Sequence, residues 1–208
     1  SFTTLSTSAE TAHGGEKSDF LFNVNYRRSS GNFEFLDDNG TPLNASDDSR
    51  VSRQNNESQV IHPHIKWEHR FDACNKVTIA SHFFRVDSGV PGLQNFQSRT
   101  AGRSLTEWLG QVSYRRTGLL HDKLAWRNTV YWRLIKSQFS DPGGEIGLGA
   151  GQDNDDVTIV FGNRFFAYFT PGKALSLKAG SEYTLERFQP RNYLAASPVG
   201  SPSLRHQL

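Results

Sequence analysis

The stretch Ser18-Asp19-Phe20-Leu21-Phe22-Asn23-Val24-Asn25-Tyr26-Arg27 decides the fold. Phe20, Phe22, Val24 and Tyr26 recur at every second position, with Asp19, Asn23, Asn25 and Arg27 between them and Leu21 as the single exception. A period of two puts one set on each face of a β-strand, so this segment reads as a strand with an apolar side and a polar side. The same alternation returns downstream. Ile61, Pro63, Ile65 and Trp67 oppose His62, His64, Lys66, Glu68 and Arg70, and Trp108, Val112 and Tyr114 oppose Glu107, Gln111, Ser113 and Arg115. Val130, Trp132 and Leu134 oppose Arg127, Thr129 and Arg133, while Leu177, Ala179, Tyr183 and Leu185 oppose Lys178, Glu182 and Glu186. Residues 76–86 and 157–169 form two less regular strands, and residues 1–10 a first one. No long segment carries the three-and-four spacing of a helix, so the chain reads as all-β with about eight strands.

The connections alternate between two kinds. Short ones occupy residues 13–16, 71–75, 118–123 and 170–173, with Gly14-Gly15 and Pro171-Gly172 as turn formers. Long ones run over residues 29–56, 87–103, 137–156 and from 189 onward, rich in Gly, Asp, Asn, Ser and Pro. Hairpins with tight turns at one end and long loops at the other are the layout of an outer-membrane barrel, with one strand face toward lipid and the other toward a lumen. A soluble sandwich also alternates, but it seldom gathers loops of this length on one edge. Tyr26, Phe33, Phe35, Trp67, Phe83, Trp126, Phe139, Phe169 and Tyr183 fall near strand ends, where they would suit the aromatic girdles of such a barrel.

Composition narrows the alternatives. The 208 residues suit one domain or a piece of a larger one, and a 12% aromatic content argues against disorder. No run approaches the roughly 18 uncharged apolar residues of a membrane helix. The 23 Lys and Arg are interleaved with 21 Asp and Glu for a net charge of +2, so no nucleic-acid partner is expected. Cys74 stands alone and can form no internal disulfide. A chain without Met that opens at Ser1 is expected to have lost its native start, by signal cleavage or excision. Both chain ends fall on the long-loop side of the strand layout, whereas a complete bacterial barrel keeps them on the short-turn side. The expected architecture is therefore an antiparallel transmembrane β-barrel segment, residues 1–208 forming part of a larger barrel.

The first long loop makes the reading more specific. Tyr26-Arg27-Arg28-Ser29-Ser30-Gly31-Asn32-Phe33-Glu34-Phe35, then Asp37-Asp38-Asn39-Gly40-Thr41, then Arg50 and Asn55-Asn56, resembles the early barrel strands of TonB-dependent outer-membrane receptors of the cobalamin and siderophore group. Gly89-Val90-Pro91-Gly92 looks like that family's next extracellular loop. The likeness is sharp over residues 18–56 and 89–93 and otherwise one of layout. It implies a barrel of the 22-stranded, plugged class, set in the outer membrane of a Gram-negative bacterium. It also implies non-catalytic, energy-coupled uptake of a scarce nutrient such as a ferric siderophore or cobalamin. The implied partners are outer-membrane lipid, the plug domain of the parent chain, the TonB complex acting through that plug, and the small-molecule nutrient. It points to Asn39, Gly40, Thr41, Arg50 and Arg53 as ligand contacts. The chain departs from the family in lacking a plug, a TonB box and a terminal aromatic, since it ends His206-Gln207-Leu208.

Three groups of residues carry other chemistry. Asp37, Asp38, Asp47 and Asp48 read as solvated loop acids and no cofactor is expected, with structural Ca²⁺ as the alternative because they supply the hard oxygen ligands it takes; Asp153, Asp155 and Asp156 form a second acidic cluster. His62 and His64 share a strand face and would suit two positions of a Zn²⁺ or Fe²⁺ site in a soluble β-barrel enzyme, but neither Glu68 nor Cys74 completes a known spacing with them or with His69. Gly147-Leu148-Gly149-Ala150-Gly151 imitates a phosphate loop without the strand-to-helix context it needs. A pore or adhesin-type barrel without energy coupling shares every strand feature and lacks only the loop likeness. The inward Arg27, Lys66, Glu68, Arg70, Arg115, Arg127, Arg133, Arg164, Lys178 and Glu182 read as a solvated lumen wall.

Overall fold

The computed structural model describes residues 3–93, 95–146, 150–172, 174–194, 197–199 and 203–207, with backbone alone from residue 193 onward. Eight long strands follow one another: β1 (Thr4–Gly14), β2 (Ser18–Ser29), β5 (Ser58–Arg70), β6 (Asn75–Gly89), β7 (Gly102–Leu119), β8 (Leu124–Asp141), β9 (Gln152–Gly172) and β10 (Leu175–Gln189). Short strands fill the gaps: β3 (Glu34–Asp37) and β4 (Ser49–Ser52) pair with each other, and β11 (Asn192–Leu194), β12 (Ser197–Val199) and β13 (Ser203–Gln207) follow β10. The long strands pair antiparallel in chain order, and β13 returns to the far side of β10. The sheet is large, antiparallel and not closed, and the described residues contain no helix.

The strands run longer than the alternation alone indicates. β7, β8 and β9 reach 18, 18 and 21 residues, which reduces the expected loop over 137–156 to residues 142–151. The first loop is not irregular throughout either, because β3 and β4 fold its middle into a separate hairpin. Two of the tight turns show what Gly and Asp supply. Gly15 N–H donates to Ser18 O at 2.8 Å, and Asp72 Oδ1 accepts from the backbone N–H groups of Cys74 (2.7 Å) and Asn75 (2.8 Å). Of the connection expected over residues 170–173, Thr170, Pro171 and Gly172 belong to β9, and Lys173 lies outside the described residues.

Register turns the alternation into two continuous faces. Phe20 pairs with Trp67, Trp67 with Ile79, Ile79 with Val112, Val112 with Val130, Val130 with Asn163 and Asn163 with Tyr183. The next row runs through Phe22, Ile65, Ser81, Gly110, Trp132, Phe161 and Leu185. All four tryptophans, Trp67, Trp108, Trp126 and Trp132, lie on this apolar face, the last two pairing with Ala167 and Phe161. Gly110 leaves room for Trp132, whose ring a Cβ there would meet at 2.1 Å. The opposite face carries ion pairs: Arg133 to Glu107 at 2.9 Å, Arg164 to Glu182 at 2.7 Å and Lys76 to Glu68 at 3.2 Å.

None of the described residues covers the apolar face. Trp108, Ile159 and Phe161 are 46%, 46% and 49% exposed, and Ala80 and Ala101 are the only buried hydrophobic residues among those described. The sheet is one layer thick, whereas a water-soluble domain of this size packs a second layer against its apolar side.

Two placements correct the sequence-based girdle. Phe139 pairs with Arg103 on the charged face, because counting by twos from Leu134 puts residue 139 on the other side of β8. Phe33 and Phe35 belong to the β3–β4 region, their rings 6.1 Å apart, and stand off the main sheet.

Candidate functional site

Three loops meet at the end of the sheet opposite the tight turns, and a small set of polar side chains joins them. Asn55, at the close of the first loop, adopts φ +53° and donates from Nδ2 to Val90 O (3.2 Å), Ser98 Oγ (3.2 Å) and Ala101 O (2.6 Å) in the second. Arg53 Nη2 donates to Gly92 O, and its guanidinium lies 5.6 Å from the Phe35 ring centroid. Gln97 accepts from Gln54 N–H at 2.7 Å and donates to Ser52 O at 3.3 Å. Asn56 Nδ2 donates to Gly31 O at 2.8 Å, and a Cβ on Gly31 would meet Asn56 O at 1.9 Å, so only glycine fits there.

The third loop joins through Glu145. Its Oε2 accepts from Ser98 Oγ (2.6 Å), Arg99 N–H (2.7 Å), Thr100 N–H (2.9 Å) and Thr100 Oγ1 (3.1 Å). The Ser98 hydroxyl and the two backbone N–H groups favour the charged form and hold the carboxyl down to about 2. Asp141 orients that glutamate, accepting from Glu145 N–H at 2.8 Å and Ile146 N–H at 2.7 Å. Ser98, Ala101 and Asp141 each have under 2% of their surface exposed. The best-buried point among the described residues is therefore a largely polar junction between loops.

Beneath this junction, on the charged face, a cleft of about 750 Å³ opens between Arg27, Glu57, Arg103 and Phe139. Ser29, Gly31, Asn56, Gly89, Val90 and Pro91 line its rim, and all six stand in the motifs that carry the family likeness. Arg103 Nε donates to Ser88 Oγ at 3.1 Å, and Glu57 is the single carboxylate of the lining. The volume suits a small molecule, and the two guanidiniums supply donors for its polar groups.

No family model and no curated protein matches the chain. What the cleft can hold must be read from its own residues.

The five residues singled out as ligand contacts stand apart from the cleft. Asn39, Gly40 and Thr41 form the tip beyond β3, where Asn39 N–H donates to Asp37 Oδ1 (3.0 Å) and Gly40 N–H to Asp38 Oδ1 (3.1 Å). Arg50 pairs in register with Leu36, and Arg53 is occupied by the carbonyls of the second loop. Among the acids of that loop, Asp37 and Asp38 each accept from backbone, and Asp47 accepts from the Thr41 hydroxyl at 2.8 and 2.9 Å. Of Asp153, Asp155 and Asp156, the last two sit at successive positions of β9 and so face opposite sides; one oxygen of each has no hydrogen-bond partner.

His62 and His64 do share the charged face, as their spacing requires, and His82 joins them by pairing with His64. The rings of His62 and His82 are 5.7 Å apart, and His82 Nε2 lies 3.5 Å from Glu107 Oε1. His69 points to the other face, stacked on Trp67 at 5.5 Å. Among the described residues no three His, Cys, Asp or Glu side chains are grouped to hold a metal ion. Gly147, Leu148 and Gly149 of the phosphate-loop-like run lie outside the described residues.

Proposed function

We propose that this sheet is part of the wall of an outer-membrane β-barrel that takes up a scarce nutrient, of the TonB-dependent receptor kind. One observation carries the membrane reading: a continuous uncharged apolar band on a single-layer sheet that buries almost none of it. On β6 the band runs from Asn75 to Arg85, with Val77, Ile79, Ser81 and Phe83 between them. At about 3.3 Å per residue and a tilt of about 40°, that interval would rise about 25 Å, the height of the lipid-facing band of such barrels. Lys136 on β8 and Arg187 on β10 bound the band at the same end.

In this reading lipid covers the apolar face, the charged face lines a lumen, and the joined loops face outward. The open edges of the sheet at β1 and β13 would pair with further strands of the same barrel. The choice of an energised receptor over a simple pore rests on the likeness of residues 26–56 and 89–93, several of which rim the 750 Å³ cleft. Nutrient would meet Arg27 and Arg103 there before passing inward, and the chain would bind and admit it without chemical change.

The experiment is refolding of the 208-residue chain in plain buffer and in detergent or lipid, followed by circular dichroism and light scattering. Aggregation in buffer and recovery of β-structure in detergent are expected. A monodisperse, cooperatively unfolding species in buffer would remove the membrane assignment.

A further inference from the structure

Near the tight turns, the register places four cations side by side on the charged face. Arg70 pairs with Lys76, Lys76 with Arg115, and Arg115 with Arg127, one residue from each of β5, β6, β7 and β8. At about 4.8 Å between strands the row spans about 14 Å. Like charges directly opposite each other across strands destabilise a sheet, so a run of four calls for an opposing charge.

The chain supplies only part of it. Asp19 holds Arg70 at 2.8 Å, and Glu68 is shared between Lys76 at 3.2 Å and Lys66 at 3.3 Å. Asp72 is engaged by Asn75 and by the Cys74 N–H within its own turn. Among the described residues neither Arg115 nor Arg127 has a carboxylate within 4.0 Å, although each of the other two cations of the row does. Three clefts converge on this pair. One of about 280 Å³ is bounded by Lys66, Lys76, Arg115 and Arg127 with Glu68 as its only acid, and two of about 240 Å³ adjoin it on either side, both lined by Arg115.

We propose that Arg115 and Arg127, with Lys76 beside them, form a binding site for an oxyanion, a phosphate or a carboxylate group. Two planar guanidiniums on paired strands present forks of N–H donors at a separation that one tetrahedral or planar oxyanion can bridge. Bound there, the anion removes the repulsion within the row and satisfies donors that the sheet leaves open. The site lies at the turn end of the charged face, away from the cleft under the loops, and it stands on the sheet register whether or not the apolar face meets lipid.

The test uses the full 208-residue chain in whichever of buffer or detergent yields its β-rich state, with inorganic pyrophosphate and a tetraglutamate peptide as probes in separate titrations. Saturable binding of either probe is expected, weakened at least tenfold by Arg115→Gln or Arg127→Gln and unchanged by Arg133→Gln, whose guanidinium is held by Glu107. Binding of pyrophosphate alone assigns the site to a free phosphate-bearing anion, and binding of the peptide alone to a carboxylate carried on a polypeptide. A second measurement needs no variant: phenylglyoxal modification mapped by peptide should show Arg115 and Arg127 protected by the bound probe while the exposed Arg28 stays reactive. No binding by either probe, binding indifferent to both variants, or equal protection at Arg28 would overturn the proposal.

Discussion

The strand wall and the loop junction are built on opposite terms. In the wall, Trp108, Phe161 and Ile159 stay about half exposed, and the backbone ladder, with solvent-accessible side-chain pairs such as Arg133 to Glu107 and Arg164 to Glu182, holds neighbouring strands together. At the junction, Ser98 and Asp141 are sealed from solvent; Asn55 and Glu145 reach Ser98 from different loops, and Asp141 fixes Glu145 within the third loop. A wall of this kind draws its stability from what covers it, whereas the junction carries its own. The two regions should therefore respond differently to the same perturbations.

The largest contrast is between adjoining residues of β7. Val112 belongs to the apolar band and Gln111 to the charged face. In lipid, Val112→Arg should destabilise the folded chain by about 2–4 kcal/mol, the cost of a cation at mid-band, whereas Gln111→Arg should stay within about 0.5 kcal/mol, as surface changes do. Denaturant titration in vesicles measures both, and equal effects would break the distinction between the faces.

The junction should fail by loss of single polar groups. Asn55→Ala removes three hydrogen bonds to the second loop and leaves the buried Ser98 hydroxyl short of a partner, at a cost of about 1–3 kcal/mol. The expected signature is faster amide exchange across residues 89–101 with little change in the strands. Uniform acceleration through the sheet would mean that wall and junction unfold as one unit.

Acid sharpens the same point. The Glu145 carboxyl is lower in the folded protein than its ordinary value of 4.5, so its contribution is complete above about 4.5 and is lost as pH falls toward 2. Amide protection at Arg99 and Thr100, measured by hydrogen exchange, should decline over that interval, and Glu145→Gln should show weak protection at every pH. The smallest effect belongs to Arg53, whose contacts are to the Gly92 and Leu93 carbonyls and the face of Phe35; Arg53→Gln should cost about 1 kcal/mol or less and leave exchange in the strands unchanged.

The wall was legible in the sequence because its information is local. Every second residue of Phe20, Phe22, Val24 and Tyr26 needs no distant partner to declare a face; the eight long strands are the expected number, although β1 covers Thr4–Gly14 in place of residues 1–10 and β7, β8 and β9 run on past the alternating segments. Phe139 was misplaced by reading its position along the strand instead of its parity. The junction was not legible, since Asn55, Ser98, Asp141 and Glu145 are common polar residues whose role arises only when loops 40 to 90 residues apart in the chain meet. Gly31 and Gly89 gave the one local signal, marking close backbone approaches at Asn56 and Asn55. The row from Arg70 to Arg127 was hidden for a related reason: each cation looks like an ordinary lumen residue until register aligns the four.

The most direct test of the account uses the four tryptophans, all on the apolar face. In vesicles whose acyl chains carry bromine, Trp67, Trp108, Trp126 and Trp132 should be quenched in the β-rich state and shielded from aqueous acrylamide. Single-tryptophan variants would separate Trp108 and Trp132, toward the middle of the band, from Trp126 near the turns, with deeper quenching for the first two. Fluorescence that acrylamide quenches freely and brominated lipid leaves untouched, in a chain that retains its β-structure, would contradict the account.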